Sequence, residues 1–534
     1  MSAPKFAGLT GNALMRAVTT CATMGFLLFG YDQGVMSSII NATDFNNVFT
    51  ATRGNSTMQG TVTAIYEIGC LFGAIFILIV GDWLGRRRAI ILGASIMILG
   101  VIIQVTSYPG HVPLAQFIIG RVVTGVGNGI NTSTIPTYQA ECSRTSNRGL
   151  LICIEGATIA FGTLIAYWID FGASYGSPDL TWRFPIAFQI VFGLCIIVGM
   201  FFLPESPRWF FTRERYEEGE TVIAALMGQE ISHHDVQLQK AIILDSIRAS
   251  GQVGKTTPLS AVFTGGKTQH FRRMLIGCSS QFFQQIGGCN AVIYYLPVLF
   301  KNSLGQEPPM DMILGGVNMI VYSIFATLSW FLIERVGRRE LFWWGTIGQC
   351  LSMVLTFACL IPGTPSAAKG AAVGLFTYIA SFGATWLPLP WLYPAEISPI
   401  KTRAKANAIS TCTNWLFNFL IVMVTPIMID KIKWGTYLFF ACVNACFLPV
   451  IYFFYPETAG RSLEEIDLIF AKGYLENMSY VRASKELPFL SDEEVERVAI
   501  QYGFGPADSD ANGSDGTESD GARKDADPEK AALN

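Results

Sequence analysis

The sequence predicts an all-α membrane protein, with twelve transmembrane helices arranged as two six-helix bundles and a cytoplasmic helical linker between them. Three observations predict it. Of the 534 residues, 51% are hydrophobic and 14% charged, with a mean hydropathy of +0.39, a balance that a soluble chain could not hide from water. About twelve apolar stretches approach the roughly 20 residues that cross a hydrocarbon core. A set of charged motifs also occurs twice, at nearly one spacing.

Taken along the chain, the apolar stretches run over about 16–39, 60–80, 89–107, 112–138, 149–170 and 183–203, then over 272–300, 311–333, 341–361, 369–393, 404–429 and 434–455. The first is too long for a cleavable signal peptide, contains Asp32 and leads into another span rather than a small-residue cleavage site, so it reads as retained. Between the sixth and seventh stretches, "RYEEGETVIAALMGQE" and "SHHDVQLQKAIILDSIRAS" have the mixed apolar and charged periodicity of short amphipathic helices. The expected organisation is an N-terminus at 1–15, a bundle at 16–209, a cytoplasmic linker at 210–270, a second bundle at 271–455 and a cytoplasmic tail at 456–534. The Asp/Gly/Ser-rich "GPADSDANGSDGTESDGARKDADPEK" predicts disorder in that tail after about 486.

Orientation follows from the loops. Arg86, Arg87, Arg88, Arg144, Arg148, Arg335, Arg338 and Arg339 fall on one side, which places both termini in the cytoplasm. A net charge of −3 offers no footprint for nucleic acid. The 12 cysteines form no CxxC pair and none lies in the outer loop at 40–59, so neither a disulfide framework nor a metal site is expected. The four histidines lie outside the stretches, which argues against a histidine proton relay. No span shows a nucleophile–base or metal-ligand constellation, so no enzyme and no cofactor is expected.

The halves read as copies. "GDWLGRRR" recurs as "IERVGRRE", "PTYQAECSRTSNRG" as "LYPAEISPIKTRAK", and "LPESPRW" as "YPETAGR". Asp82 and Glu334 lie 252 residues apart, Glu141 and Glu396 255, and Glu205 and Glu457 252. Six intervening spans keep the membrane orientation of each copy, the parallel repeat of a two-bundle transporter with its site at the midplane. The acids Asp82, Glu141, Glu205, Glu334, Glu396 and Glu457, with Arg86, Arg148, Arg208, Arg338 and Arg403, are expected to form a cytoplasmic salt-bridge gate. The bland alternative is topology alone, because arginines belong there in any case.

Asp32, in "MGFLLFGYDQG", is a carboxylate inside an apolar run and therefore a functional candidate. It lies about nine residues below the outer end of its span, and Arg121 lies about nine below the outer end of the fourth. At about 1.5 Å per residue, both are roughly 13 Å deep. An ion pair keeps both charges in the bundle, and protonating Asp32 would free Arg121 and bias two conformations. A fixed pair without proton traffic is the alternative, and Glu67 and Glu155 compete for the proton role. "GVGNG" at 125–129 superficially suggests a dinucleotide loop, but without a preceding strand it reads as close helix packing.

"QFFQQIGGCNAVIYYLP" places Gln284, Gln285, Asn290, Tyr294 and Tyr295 inside one span. Amides both donate and accept, which suits a neutral, hydroxyl-rich ligand, and Gly287 with Gly288 loosens the helix near mid-span. "GATWLPLPWLYPAE" adds Trp386 and Trp391 among three prolines, and "TNWLFN" adds Asn414, Trp415 and Asn418. An indole stacks on the C–H face of a sugar ring; its bland alternative is interfacial anchoring. These spans contain no buried Lys or Arg, which disfavours a carboxylate substrate. Asn41 and Asn55 begin N-x-Ser/Thr sequons in the outer loop and are expected to be glycosylated.

Over about residues 16–470 these motifs resemble those of the sugar porters of the major facilitator superfamily. The resemblance implies alternating access with one sugar carried per cycle. It further implies that Gln284, Gln285, Asn290, Tyr294, Trp386, Trp391 and Asn414 contact or close over the sugar, and that Asp32 and Arg121 match the proton-coupling pair of the symporters. Three positions depart from the family: Gly156 stands where a glutamine is usual, Tyr322 where an asparagine is, and Gly383 where animal facilitators carry an acid. With "YWIDFG", the chain is similar to fungal members, for which pentoses, hexoses and polyols are all open. The expectation is a monomeric, multi-pass plasma-membrane importer of a neutral monosaccharide, coupled to protons. A facilitative sugar or polyol uniporter and a transporter-like sugar sensor are the alternatives.

Overall fold

The computed structural model describes residues 4–110, 112–143, 148–249, 258–305, 309–399, 401–490 and 492–502. Among them every extended element is helical. Ten helices or helix runs are long and apolar enough to cross a membrane. In order they are Gly11–Ile39, Ser56–Leu84, Arg86–Val105, Ile154–Ala173 within the helix Arg148–Ala173, Leu180–Phe202, Met310–Val336, Arg338–Leu360, Pro365–Ile397, Lys405–Ile432 within Arg403–Ile432, and Gly435–Phe454.

Two further crossings complete the expected twelve, and each misses the apolar standard for a physical reason. The fourth span, Pro113–Cys142, buries Arg121, Asn128, Asn131 and Gln139. The seventh is broken into His270–Ile286 and Cys289–Leu304 at Gly287 and Gly288, where Gly288 has φ +100°. The tenth is irregular as well, with a π-helical turn at Phe382–Trp386 between Pro365–Ser381 and Leu389–Ile397. Most helices run several residues past the predicted stretches, because a helix continues into the polar interface after the apolar pattern stops.

"GVGNG" is close packing. A Cβ on Gly125 would lie 2.1 Å from the Tyr66 carbonyl and one on Gly129 2.1 Å from that of Cys70, so the second and fourth spans meet backbone to backbone. Contacts between the halves gather toward the end that carries the 40–55 loop. Gly60 abuts the backbone of Met423, and Gly315 and Gly316 abut the rings of Tyr167 and Trp168. The Tyr167 hydroxyl donates to the Ile293 carbonyl at 2.6 Å. The loop itself folds into the helix Thr43–Val48, whose Phe45 packs with Phe49, Phe117 and Trp182.

At the opposite end the linker forms the helices Pro207–Thr212, Tyr216–Met227 and His234–Ala249, held by Phe211, Ile223, Ala224, Val236 and Ile247. The described residues fall into two units, divided after Pro488. The first includes the tail helices Leu463–Leu475 and Tyr480–Glu486, the former opened by a Ser462–Glu465 capping box. The second contains the helix Asp492–Gln501 in a stretch where disorder was expected; the rest of that expectation, 503–534, lies outside the described residues.

Candidate functional site

The first and fourth spans bring Asp32 and Arg121 together, both fully buried, with Oδ1 and Nη1 3.9 Å apart. That separation is too long for a hydrogen bond. The hydrogen bonds go elsewhere. Tyr66 donates its hydroxyl to Asp32 Oδ2 at 3.1 Å and receives one from Asn128 Nδ2. Arg121 Nη2 donates to the Thr63 carbonyl at 3.2 Å, and its guanidinium lies 4.7 Å from the Tyr66 ring centre. Asp32 Oδ1 and Arg121 Nε and Nη1 have no hydrogen-bond partner among the described residues. Buried charges in so loose a pair keep much of their desolvation cost, so the arrangement is poised to change when one partner is neutralised.

Beside this pair, the broken seventh span meets the tenth and eleventh around a narrow cavity of about 20 Å³. Of the predicted ligand residues, Gln284, Gln285, Asn290, Trp391 and Asn414 line it. The amides satisfy one another. Asn414 Nδ2 donates to Gln281 Oε1 at 2.5 Å and to Gln284 Oε1 at 3.0 Å, and Asn290 Nδ2 to Gln285 Oε1 at 2.5 Å and Asn418 Oδ1 at 2.6 Å. Gln284 Nε2 donates to the Trp386 and Leu387 carbonyls, the first left without a helical partner by Pro390, which has no N–H, and the second because the Trp391 N–H turns to Pro388.

Two predicted ligand residues point elsewhere. Trp386 donates its indole N–H to Thr346 Oγ1 at 3.0 Å and sits edge-on to Phe342, so it props the tenth span rather than facing the cavity. Tyr294 donates its hydroxyl to Glu67 Oε1 at 2.6 Å, across the two halves. Residues not singled out as ligands also line the cavity: Gln33, Phe29 and Tyr322. Gln33 follows Asp32 directly and could have been found as a second polar residue in the same apolar run. Tyr322 is fully buried, its hydroxyl has no partner among the described residues, and it packs within 3.1 Å of where a Cβ on Gly383 would stand. A Cβ on Gly156 would sit 3.7 Å from Leu387 and Pro388, at ordinary van der Waals distance, so the fifth span lies beside the tenth at this departure.

The duplicated acids and arginines form two matching clusters, each inside one half. Arg86 pairs with Glu141 at 3.1 Å and Asp82 at 3.2 Å, while Arg338 pairs with Glu396 at 2.9 Å and Glu334 at 3.1 Å. Glu205 accepts the backbone N–H groups of Arg86 and Arg87, and Glu457 those of Arg338 and Arg339. Burial pushes the Glu205 carboxyl up, against the downward pull of the N–H groups of Ser206, Arg87 and Arg86. Arg403 donates to the Ser398 carbonyl, and Arg208 lies in the first turn of Pro207–Thr212. The Arg148 side chain and Arg144 lie outside the described residues. In the outer loop, Asn41 Nδ2 is buried, whereas Asn55 is exposed and its side chain caps the second span at Met58 N, 3.1 Å.

Comparison with known proteins agrees with this architecture. The family model described as "Sugar (and other) transporter" matches residues 18–470. The sugar transporter STL1 of Saccharomyces cerevisiae is 48% identical over 503 residues, covering 93% of this chain and 88% of that protein. The major facilitator superfamily transporter mfsA of Aspergillus fumigatus is 47% identical, covering 93% of each. The proton:xylose symporter XylE, solved with bound 6-bromo-6-deoxy-D-glucose, superposes with a TM-score of 0.74 at 25% identity, over 86% of this chain and all of that one.

Proposed function

The chain belongs to the sugar (and other) transporter family of the major facilitator superfamily, a family of carriers rather than enzymes, and from that membership we propose that it imports a neutral monosaccharide, pentose or hexose, in symport with a proton. The observation that carries this reading is the loosely held, fully buried Asp32–Arg121 pair next to an amide-lined cavity. Gln284, Gln285, Asn290 and Asn414 offer donors and acceptors to hydroxyls, Trp391 offers an indole face, and none of the residues lining the cavity carries a charge. A proton on Asp32 removes its charge and releases Arg121, which biases the two states of alternating access. The similarity to a proton:xylose symporter supports the same assignment.

A cavity of about 20 Å³ holds little more than one water, against the few hundred Å³ of an open ligand site. Loading therefore requires the halves at about 16–209 and 271–455 to part. The acid–arginine clusters fasten the ends of each half that must separate and close again, and the positive charge of Arg86–Arg88 with Arg335, Arg338 and Arg339 supports a cytoplasmic position for those ends and both termini. The reading also places the carrier in the plasma membrane, with Asn55 as the glycan acceptor.

The test is competition uptake with pentoses, hexoses, polyols and uronates in cells lacking their own carriers, with and without an uncoupler. Uptake of a neutral monosaccharide that collapses with the uncoupler is expected. Uptake indifferent to it would leave a uniporter, and a purified protein that moves no solute in liposomes would leave a sensor.

A further inference from the structure

Glu67 is a second carboxylate buried beside the proposed proton pair, and the mechanism above does not use it. It is fully buried in the second span, next to Tyr66, whose hydroxyl binds Asp32. Its Oε1 accepts the Tyr294 hydroxyl at 2.6 Å, so this bond ties the N-terminal half to the second piece of the broken seventh span. The length is that of a short O–H···O hydrogen bond, within the usual range of about 2.5–3.0 Å, and such a bond is roughly twice as strong when its carboxylate is ionised. Oε2 has no hydrogen-bond partner among the described residues.

Arg121 donates to the carbonyl of Thr63, one turn before Glu67 on the same face of the second span. Its charge therefore acts on two carboxylates, Asp32 from the first span and Glu67 from the second. The other titratable groups facing Glu67 are Tyr66 and Cys70 from its own span and Tyr294 and Tyr295 from the seventh; the eleventh presents the amide of Asn418, whose Nδ2 has no partner among the described residues. Two acids and one guanidinium leave this cluster one formal negative charge, which a single proton cancels.

We propose that Glu67 is a positioning residue that carries the proton state of Asp32 to the contact between the halves, an inference that rests on the symport reading above. While Asp32 is ionised, Arg121 is shared between the two acids. When Asp32 takes a proton, Glu67 is the carboxylate left to Arg121, and the guanidinium holds it ionised against the Tyr294 hydroxyl. The contact tightens in the protonated state and loosens when Asp32 releases its proton.

The full-length protein, purified and reconstituted in liposomes, tests this with labelled D-xylose, D-glucose and sorbitol as probes. Two quantities are measured for each: counterflow across a pH series, and accumulation driven by an outside-acid gradient. In Glu67→Gln the amide oxygen still accepts from Tyr294 but carries no charge, so counterflow persists, its pH dependence flattens and gradient-driven accumulation falls about tenfold. Tyr294→Phe lowers accumulation relative to counterflow in the same way, and it decides the question if Glu67→Gln does not reconstitute. A coupled wild type with variants that accumulate as well as it does, on the same pH profile, overturns this inference alone. A wild type whose transport ignores pH, or that carries none of the probes, overturns the symport reading and this inference together.

Discussion

Gly85 and Gly337 hold the same place in the two halves, with φ +87° and +96°, and a Cβ on either would meet a carboxylate oxygen, Glu205 Oε2 at 2.6 Å or Glu457 Oε2 at 2.8 Å. Each glycine turns one span into the next while its acid closes on the backbone N–H groups of the two arginines that follow. Backbone conformation and charge are thus duplicated together. Gly85→Ala and Gly337→Ala should each cost about 1–3 kcal/mol, from the left-handed φ and the displaced carboxylate. A fall in the melting temperature of the detergent-purified protein checks this; unchanged melting in both variants would show that the turns tolerate a side chain.

Asp32→Asn should abolish proton-driven accumulation while leaving exchange of solute across the membrane. The sign follows from the proposed coupling: if protonation of Asp32 loads the carrier, wild-type uptake falls as external pH rises, and an asparagine, neutral at every pH, removes that slope. Counterflow and gradient-driven uptake measured between acid and neutral pH separate the two outcomes. Accumulation that survives the substitution would assign the proton to another acid.

The cavity residues should divide by what they touch. Asn414→Ala strands Gln281 and Gln284, and Gln284→Ala strands the Trp386 and Leu387 carbonyls; both residues line the cavity proposed to take the sugar, so each should raise KM about tenfold. Trp391→Ala should act on KM too, since its ring lines the cavity. Trp386→Ala should instead lower stability by about 3–5 kcal/mol, because that indole is buried against Phe342 and Thr346. Transport kinetics beside melting curves will sort the four, and a pure KM effect at Trp386 would contradict its placement.

Glycosylation should depend on Asn55. Its side chain is exposed, whereas the amide nitrogen of Asn41 is buried. Asn55→Gln should abolish the gel shift produced by endoglycosidase, and Asn41→Gln should leave it intact; the reverse pattern would place the loop differently.

Much of this protein is written locally. Hydropathy locates most of the spans, and the recurrence of "GRR" after an acid and before a distant "PE" announces the repeat. The fourth span was legible despite its polar residues because the flanking pattern brackets it, and the depth match of Asp32 with Arg121 follows from helical rise. The side-chain bonding was not legible. Trp386 and Trp391, five residues apart, look equivalent in the chain, but the π-helical turn between the tenth span's two pieces sends one to Thr346 and the other to the cavity. The gate reads as one set in the sequence and folds as two clusters, each within its own half.

By itself the sequence determined the membrane setting, the twelve crossings, the duplication and the chemistry available at mid-membrane, since all of these depend on residue type and spacing along one helix. Only the tertiary structure decided who bonds to whom: Tyr66 rather than Arg121 gives Asp32 its hydrogen bond, and Tyr294 reaches Glu67 rather than the cavity. The physical reason is range. A span reports its own depth and face through a period of about 3.6 residues, but which side chain it meets depends on helix breaks and close glycine contacts contributed by other spans.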